Sequence, residues 1–305
     1  MTRRDSMLAA AVAVIWGVNF LVIDWGMVGV PPLLFLVFRF VGVALPAIFF
    51  VRRPQVSWRV LAAVGLTMSL GQFGLLYGAL AAGMPPGLAG LVLQAQIVFT
   101  VVLSAATLGE RPSTAQFCGV ALGTLGLLVI AAGRGGNVPL LALLLTVLAA
   151  LSWAVGNVVV RASKVRAGLS VTVWSAVFVP VPALALALAI DGVEGVTDGL
   201  AAFGWQAAAS TAYTVVLASL VGYSIFNSLL ARWPTAAVVP WILLVPVVSM
   251  TAAWALLGET PATAEAIGGV VMLVGLLVTV RPPRRPLQEA VAAVERSGST
   301  APGSR

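Results

Sequence analysis

Histidine is missing from this chain altogether, cysteine occurs once in 305 residues, and only 9% of positions are charged. Without histidine the commonest zinc and iron ligand is gone, and a single Cys118 allows neither a disulfide framework nor a paired-cysteine metal spacing. No metal and no cofactor is therefore expected. Cys118 lies inside an apolar run and reads as a small packing residue. Membrane enzymes need a nucleophile, an acid/base pair or a metal set, and the apolar runs hold no histidine, no paired carboxylates and no cysteine cluster, so an enzyme is not expected either. Charge this sparse cannot coat a water-soluble surface. The formal charge of +7 would suit a nucleic-acid partner only if it were gathered on one face, and the 17 Lys and Arg are scattered as punctuation between apolar runs.

What is present is hydrocarbon: 60% of residues are hydrophobic and the mean hydropathy is +1.06. The expected solvent is a lipid bilayer. Segments near the roughly 20 residues needed to cross it fall at 7–27, 33–51, 59–81, 86–107, 113–132, 139–160, 169–190, 203–230, 235–257 and 262–280. Turn-forming breaks such as GVPP, RRP, GMPPG and the acidic DGVEGVTDG separate them. The N-terminus has the basic end of a signal peptide, but its apolar run is too long for one and reads as a retained first helix. Residues 282–305 turn polar and are expected to form a disordered tail.

Cytoplasmic loops accumulate Lys and Arg. With the N-terminus inside, Arg3, Arg4, Arg52, Arg53, Arg59, Arg111, Arg161, Lys164, Arg166, Arg232, Arg281, Arg284, Arg285, Arg296 and Arg305 fall on one side, Arg134 alone falls on the other, and Arg39 lies within the membrane. The acidic loop of Asp191, Glu194 and Asp198 falls outside. Both termini are expected in the cytoplasm.

One phrase occurs twice. Shifting the chain by 149 positions lays Leu108-Gly109-Glu110 on Leu257-Gly258-Glu259, Pro112 on Pro261, Thr114 on Thr263 and Gly126-Leu127-Leu128-Val129 on Gly275-Leu276-Leu277-Val278. The expected organisation is thus two repeats of five helices, 7–132 and 139–281. Because five is odd the second enters the membrane from the other side, and inverted repeats can open a shared central site to either side in turn. Within the phrase, Gly109 and Gly258 suit left-handed helix caps, and Glu110 and Glu259 suit the N-terminus of the helix that follows. A gating role for the two glutamates stays open.

Ten helices in two repeats, LGERP and LGETP closing the fourth and ninth, WGVN in the first and FRF at 38–40 together resemble the EamA family of the drug/metabolite transporter superfamily, over roughly residues 7 to 281. Within it the chain is most similar to the YddG-type exporters of aromatic and other neutral amino acids. The resemblance implies a basket of helices around a central cavity, export by alternating access, and a bacterial inner-membrane location. Multidrug, sugar or nucleotide-sugar transport within the superfamily and a passive channel-like facilitator stay open. The expected partners are a small-molecule substrate and lipid; a monomer is expected, with a homodimer left open.

Polar side chains in a span should face the bundle interior. Those expected to line a substrate site are Trp16, Asn19, Gln72, Tyr77, Gln96, Trp153, Asn157, Trp174, Tyr223, Asn227 and Trp241. Deep tryptophans beside amides would make an apolar pocket with a few polar fixtures, the usual makeup of a small-molecule site, although packing and helix-to-helix hydrogen bonds explain the same residues. Trp25, Trp58, Trp205, Trp233 and Trp254 suit the membrane interface. Pro46, Pro180, Pro182, Pro240 and Pro246 fall inside spans as kinks or hinges. Arg39, about 10 Å below the outer surface by helix rise, is expected to snorkel outward, to pair with Asp24, or to serve the substrate path.

Overall fold

A computed structural model describes residues 1–133, 138–164 and 168–280. The expectations resting on Arg134, Arg166, Arg281, Arg284, Arg285, Arg296, Arg305 and the 282–305 tail lie outside the described residues.

All regular structure among the described residues is helical. In chain order the spans are α1 (Arg3–Gly26), α2 (Pro32–Ala47), α3 (Trp58–Ala81), α4 (Pro86–Val92, then Ala95–Leu108), α5 (Thr114–Gly133), α6 (Leu140–Ala162), α7 (Leu169–Ala176, then Pro180–Ala201), α8 (Trp205–Arg232), α9 (Thr235–Ile242, then Val245–Leu257) and α10 (Thr263–Thr279). Among the described residues eight stretches are long and apolar enough to cross a bilayer, and α2 and α10 are shorter apolar helices. This is an all-α, ten-helix membrane protein. Helices suit that solvent because each satisfies its own backbone polar groups where no water is available.

Local chemistry sets the ends. Thr2 caps α1 by accepting from the Asp5 amide, and Ser57 caps α3 by accepting from Val60. Prolines open α2 and α4, where a missing N–H costs nothing. The same rule places two of the prolines expected as kinks or hinges at the breaks of their spans. Pro180 and Pro246 do not interrupt helices; each starts the second half of a broken span, while Pro240 lies inside the first half of α9 and Pro46 one residue from the end of α2. The expected acidic loop is also corrected. Residues 191–200 belong to the second half of α7, helical on either side of a kink at Gly192 with φ +71.

Two spans widen. Residues 65–71 of α3 and 213–221 of α8 are π-helical. Wide turns leave carbonyls free for other donors, and neighbouring helices use them: Ser152 donates to the Thr67 carbonyl at 2.8 Å and Trp16 Nε1 to the Ala218 carbonyl at 2.9 Å.

The largest apolar core gathers Phe35, Leu36, Leu76, Leu91, Ile130 and Met272 from five different spans. Helices α5 and α10 lie close because glycines face each other. A Cβ on Gly126 would meet the Gly268 carbonyl and Met272 at 2.6–2.7 Å. Outward, Phe49, Phe50, Val181 and Leu256 are largely exposed, an arrangement that suits lipid and would be unfavourable in water. Cys118, expected in the packing, is also exposed, on the free face of α5.

Candidate functional site

Arg39 is the residue around which the interior polar groups must be understood. It sits midway along α2 and is only 2% exposed. A guanidinium at such depth costs about 2.5–3.5 kcal/mol or more to place in hydrocarbon, so its neighbours must compensate. Neither expected compensation occurs: it does not snorkel, and it does not pair with Asp24. Its Nη1 donates to the Tyr77 hydroxyl of α3 at 2.8 Å and its Nη2 to the Ser219 hydroxyl of α8 at 3.2 Å. The plane lies 4.0 Å from the centroid of Phe73 and 5.6 Å from that of Phe40. Such ring contacts are worth about 2 kcal/mol when desolvated. Nε has no partner. The reason for the departure is side-chain direction, since α2 turns Arg39 toward α3 and α8.

Trp16 joins this group through the π-helical stretch of α8. Its indole N–H holds the Ala218 carbonyl, one residue before Ser219, and its ring lies 5.1 Å from Tyr223 and 5.4 Å from Phe226. Gly222 permits the approach, because a Cβ there would meet Trp16 Nε1 at 2.6 Å. One turn further along α1, Asn19 is 7% exposed and its Oδ1 has no partner. Tyr77, fully buried, stands between Phe35 and Phe73 with centroids 5.8 and 6.1 Å away.

A second polar group bridges α4 and α6. Asn157 Nδ2 donates to Gln96 Oε1 at 2.9 Å and to the Thr100 hydroxyl at 3.2 Å. Gln72 is buried where the π-helical stretch of α3 ends. Trp153 packs at the edge of the main core, and Asn227 is half-buried on α8.

Two expected residues stand apart. Trp174 lies early in α7 and donates Nε1 to the Val51 carbonyl after α2, beside Trp58, with Arg53 stacked 3.9 Å over the Trp58 ring. Trp241 packs in a separate apolar cluster with Ala9, Leu229 and Val238. Sequence depth counted residues from a span's end and could not see that α7 and α9 are each broken. Of the expected interface tryptophans, Trp25 and Trp205 pack together at 5.2 Å, and Trp254 is exposed.

Residues not singled out from sequence also matter. Phe73 and Phe226 form aromatic walls, and Asp5, 4% exposed, ties α1 to the end of α8 by accepting from Arg232 at 2.9 Å and Trp233 at 3.1 Å. An acid at the third position after a threonine cap was the available signal for Asp5; nothing in the sequence distinguishes Phe73 from its apolar neighbours.

The repeated glutamates have different surroundings. Glu110 forms an ion pair of 2.8 Å with Arg161 at the end of α6. The α5 N-terminus that it was expected to cap is closed instead by Ser113 and Gln116, each accepting from the other's amide. Glu259 also misses the helix after it, where Glu265 accepts from the Ala262 amide. It reaches the first turn of α4, where Oε2 accepts from Gly87 at 3.4 Å. Burial pushes its pKa up, the Gly87 N–H opposes this, and Asp24 and Glu265 raise it further. A cleft of about 140 Å³ opens here, lined by Gly87, Met250, Glu259, Pro261 and Glu265 among others.

The chain matches known proteins along most of its length. It is 42% identical over 286 residues to a protein of Salmonella typhimurium named "Probable amino-acid metabolite efflux pump", covering 92% of this chain and 96% of that one, and 41% identical to its Escherichia coli namesake with the same coverage. A protein of Streptantibioticus cattleyicolor named "Probable terminal-alkyne amino-acid exporter" is 30% identical, covering 76% of each chain. A solved crystal structure with 21% identity superposes with a TM-score of 0.61, covering 93% of this chain and all of that one. That likeness bears on the fold alone. The sequence model of the EamA-like transporter family matches residues 5–132 and again 140–281. With ten apolar helices, a buried polar and aromatic seam between them and that match over nearly the whole chain, the protein belongs to the EamA-like transporter family.

Proposed function

We propose that this transporter exports small amino-acid metabolites, neutral or zwitterionic, from the cytoplasm across the bacterial inner membrane. The observation that carries the reading is the 42% identity that spans 92% of this chain and 96% of an amino-acid metabolite efflux pump. The site's chemistry agrees with it. The seam offers one cation, amides, hydroxyls and aromatic faces rather than the cluster of cations that a phosphate-bearing nucleotide sugar would need.

In the same reading, residues 7–132 and 139–281 are inverted repeats that rock about the seam in alternating access. Support comes from features that recur near the 149-residue offset. The π-helical stretches lie at 65–71 and 213–221, α4 is interrupted at 93–94 and α9 at 243–244, and Gly109 and Gly258 are both left-handed. The excess of Arg and Lys on one set of loops supports cytoplasmic termini. Trp16, Asn19, Gln72, Tyr77, Gln96, Trp153, Asn157, Tyr223 and Asn227 line the substrate path. Transport runs down the substrate's own gradient, because the acids lie at helix ends rather than in the seam.

The test is counterflow of radiolabelled amino acids, sugars, nucleotide sugars and cationic drugs in proteoliposomes of the purified chain. Saturable counterflow of neutral amino acids is expected, insensitive to an imposed pH gradient. Movement of only sugars or drugs would overturn the substrate class. Uphill accumulation driven by a pH gradient and abolished by Glu259→Gln would overturn the coupling.

A further inference from the structure

We propose that Arg39 is the carboxylate anchor of the substrate site, receiving the acid group of the exported molecule on the Nε–Nη2 edge of its guanidinium. The inference rests on the reading above and names the group by which such a substrate is held.

The first ground is charge. Among the described residues the ion pairs are Arg161–Glu110 and Arg232–Asp5, and no carboxylate pairs with Arg39. A cation buried this deeply and held only by two hydroxyls and aromatic faces lacks its natural counter-charge. Intramembrane cations of this kind belong to ligand paths more than to packing.

The second ground is that the guanidinium is held unequally. Nη1 is tied firmly, at 2.8 Å, to a tyrosine that is itself fully buried between aromatic rings. On the other edge, Nη2 makes a longer 3.2 Å contact to Ser219 and Nε has no partner at all. Nε and Nη2 form the side-on fork that meets the two oxygens of a carboxylate with parallel N–H bonds. The fork is therefore positioned by Tyr77 and Phe73, and its Nε–Nη2 edge, though enclosed, is committed to no acceptor other than the Ser219 hydroxyl.

The third ground is where that hydroxyl sits. Ser219 lies in the π-helical stretch of α8 and already donates to the Thr214 carbonyl, five residues back, at 2.7 Å. It can give up Arg39 and remain bonded. Wide turns set into a helix are frequent at functional sites. The Trp16, Tyr223 and Phe226 rings adjoin the same stretch as an apolar wall for a side chain, and Asn19 Oδ1, an acceptor with no donor, is complementary to an ammonium group. Phosphate would fit a single fork less well than carboxylate does, since its further charge would find no second cation.

The purified full-length protein in proteoliposomes supplies the test, with L-phenylalanine and L-serine compared against their carboxamides, and with 3-phenylpropionate as an acid lacking the amine. Wild-type protein should prefer each acid over its amide by tenfold or more, the order expected for a charged hydrogen-bonded pair. Arg39→Gln should bring the acid and amide rates within about twofold, and Arg39→Lys, which keeps the charge but loses the fork, should fall between. Ser219→Ala should lower KM for the acids, because nothing must then be displaced. If Arg39→Gln does not fold, the Lys and Ala variants decide the matter. A wild-type protein without acid preference, an Arg39→Gln or Arg39→Lys protein that keeps the full preference, or a Ser219→Ala protein whose KM for the acids rises tenfold would overturn the anchor. Transport of 3-phenylpropionate alone, dependent on Arg39, would sustain the anchor and overturn the amino-acid reading. Transport of amino acids and their amides alike would do the reverse, and movement of none of these probes would overturn both.

Discussion

Residues 107–113 and 256–262 read TLGERPS and LLGETPA, and the backbone treats them alike. Gly109 and Gly258 turn through φ +66 and +70 after α4 and α9, and a Cβ at either would meet nothing within 4 Å. The carboxylates that follow share none of this likeness. Glu110 is 38% exposed and meets a 56% exposed Arg161, so its pair is weak and screened, worth about 0–1 kcal/mol. Glu259 turns inward to the N-terminus of α4, with Asp24 and Glu265 as neighbours and no cation pairing with it among the described residues. Local sequence sets the turn, and the neighbours brought by other helices set what the charge does.

The largest effect expected on this comparison is in the shared part. Gly109→Val and Gly258→Val each force a β-branched residue into left-handed backbone, at a cost of about 1–3 kcal/mol. Because space around both glycines is open, the cost is conformational and the two losses should be alike. Unfolding in detergent micelles measures them, and a loss at one position only would break the likeness of the two turns.

A smaller effect separates the carboxylates. Burial raises the Glu259 pKa, so the folded state binds this proton more tightly than the unfolded chain does. The penalty for ionising it is absent at and below the ordinary carboxylate range, and it grows as pH rises to the raised value. Stability should therefore fall with rising pH across that window. Glu259→Gln keeps an acceptor for Gly87 but removes the charge, and should flatten that slope and raise the unfolding temperature at neutral pH. An equally steep slope in the variant would place the responsible group elsewhere.

Least of all is expected at Glu110. In a double-mutant cycle of Glu110→Gln and Arg161→Gln the coupling should be no more than about 1 kcal/mol at low salt, and should vanish toward 1 M salt, where the screening length is about 3 Å. A large coupling that survives salt would show that this pair is desolvated and would erase the contrast with Glu259.

Much of the scaffold was legible before any coordinates. Apolar runs bounded by Gly and Pro marked the spans to within a few residues, because in hydrocarbon a chain must satisfy its backbone within each segment. The extension of α7 to Ala201 was not legible, since acids and glycines read as turn there and a helix at the rim can carry both. The π-helical stretches at 65–71 and 213–221 carry no composition signal. Their extra residue shifts the faces of α3 and α8, which is why a simple four-residue stripe of Ser219, Tyr223 and Asn227 yields one residue on Arg39, one on Trp16 and one elsewhere.

Composition and periodicity by themselves determined the solvent, the helical class, the places where the chain turns and the residues too polar to face lipid, because each follows from the transfer cost of a side chain or a backbone group. Only the tertiary structure decided partners. Arg39 took Tyr77 and Ser219 instead of Asp24, Trp174 and Trp241 left the seam, and Glu110 and Glu259 parted company. Such choices depend on which helices become neighbours and which faces they turn, distances of a few ångströms between residues as many as 228 positions apart in a hydrogen bond, and no local propensity carries that information.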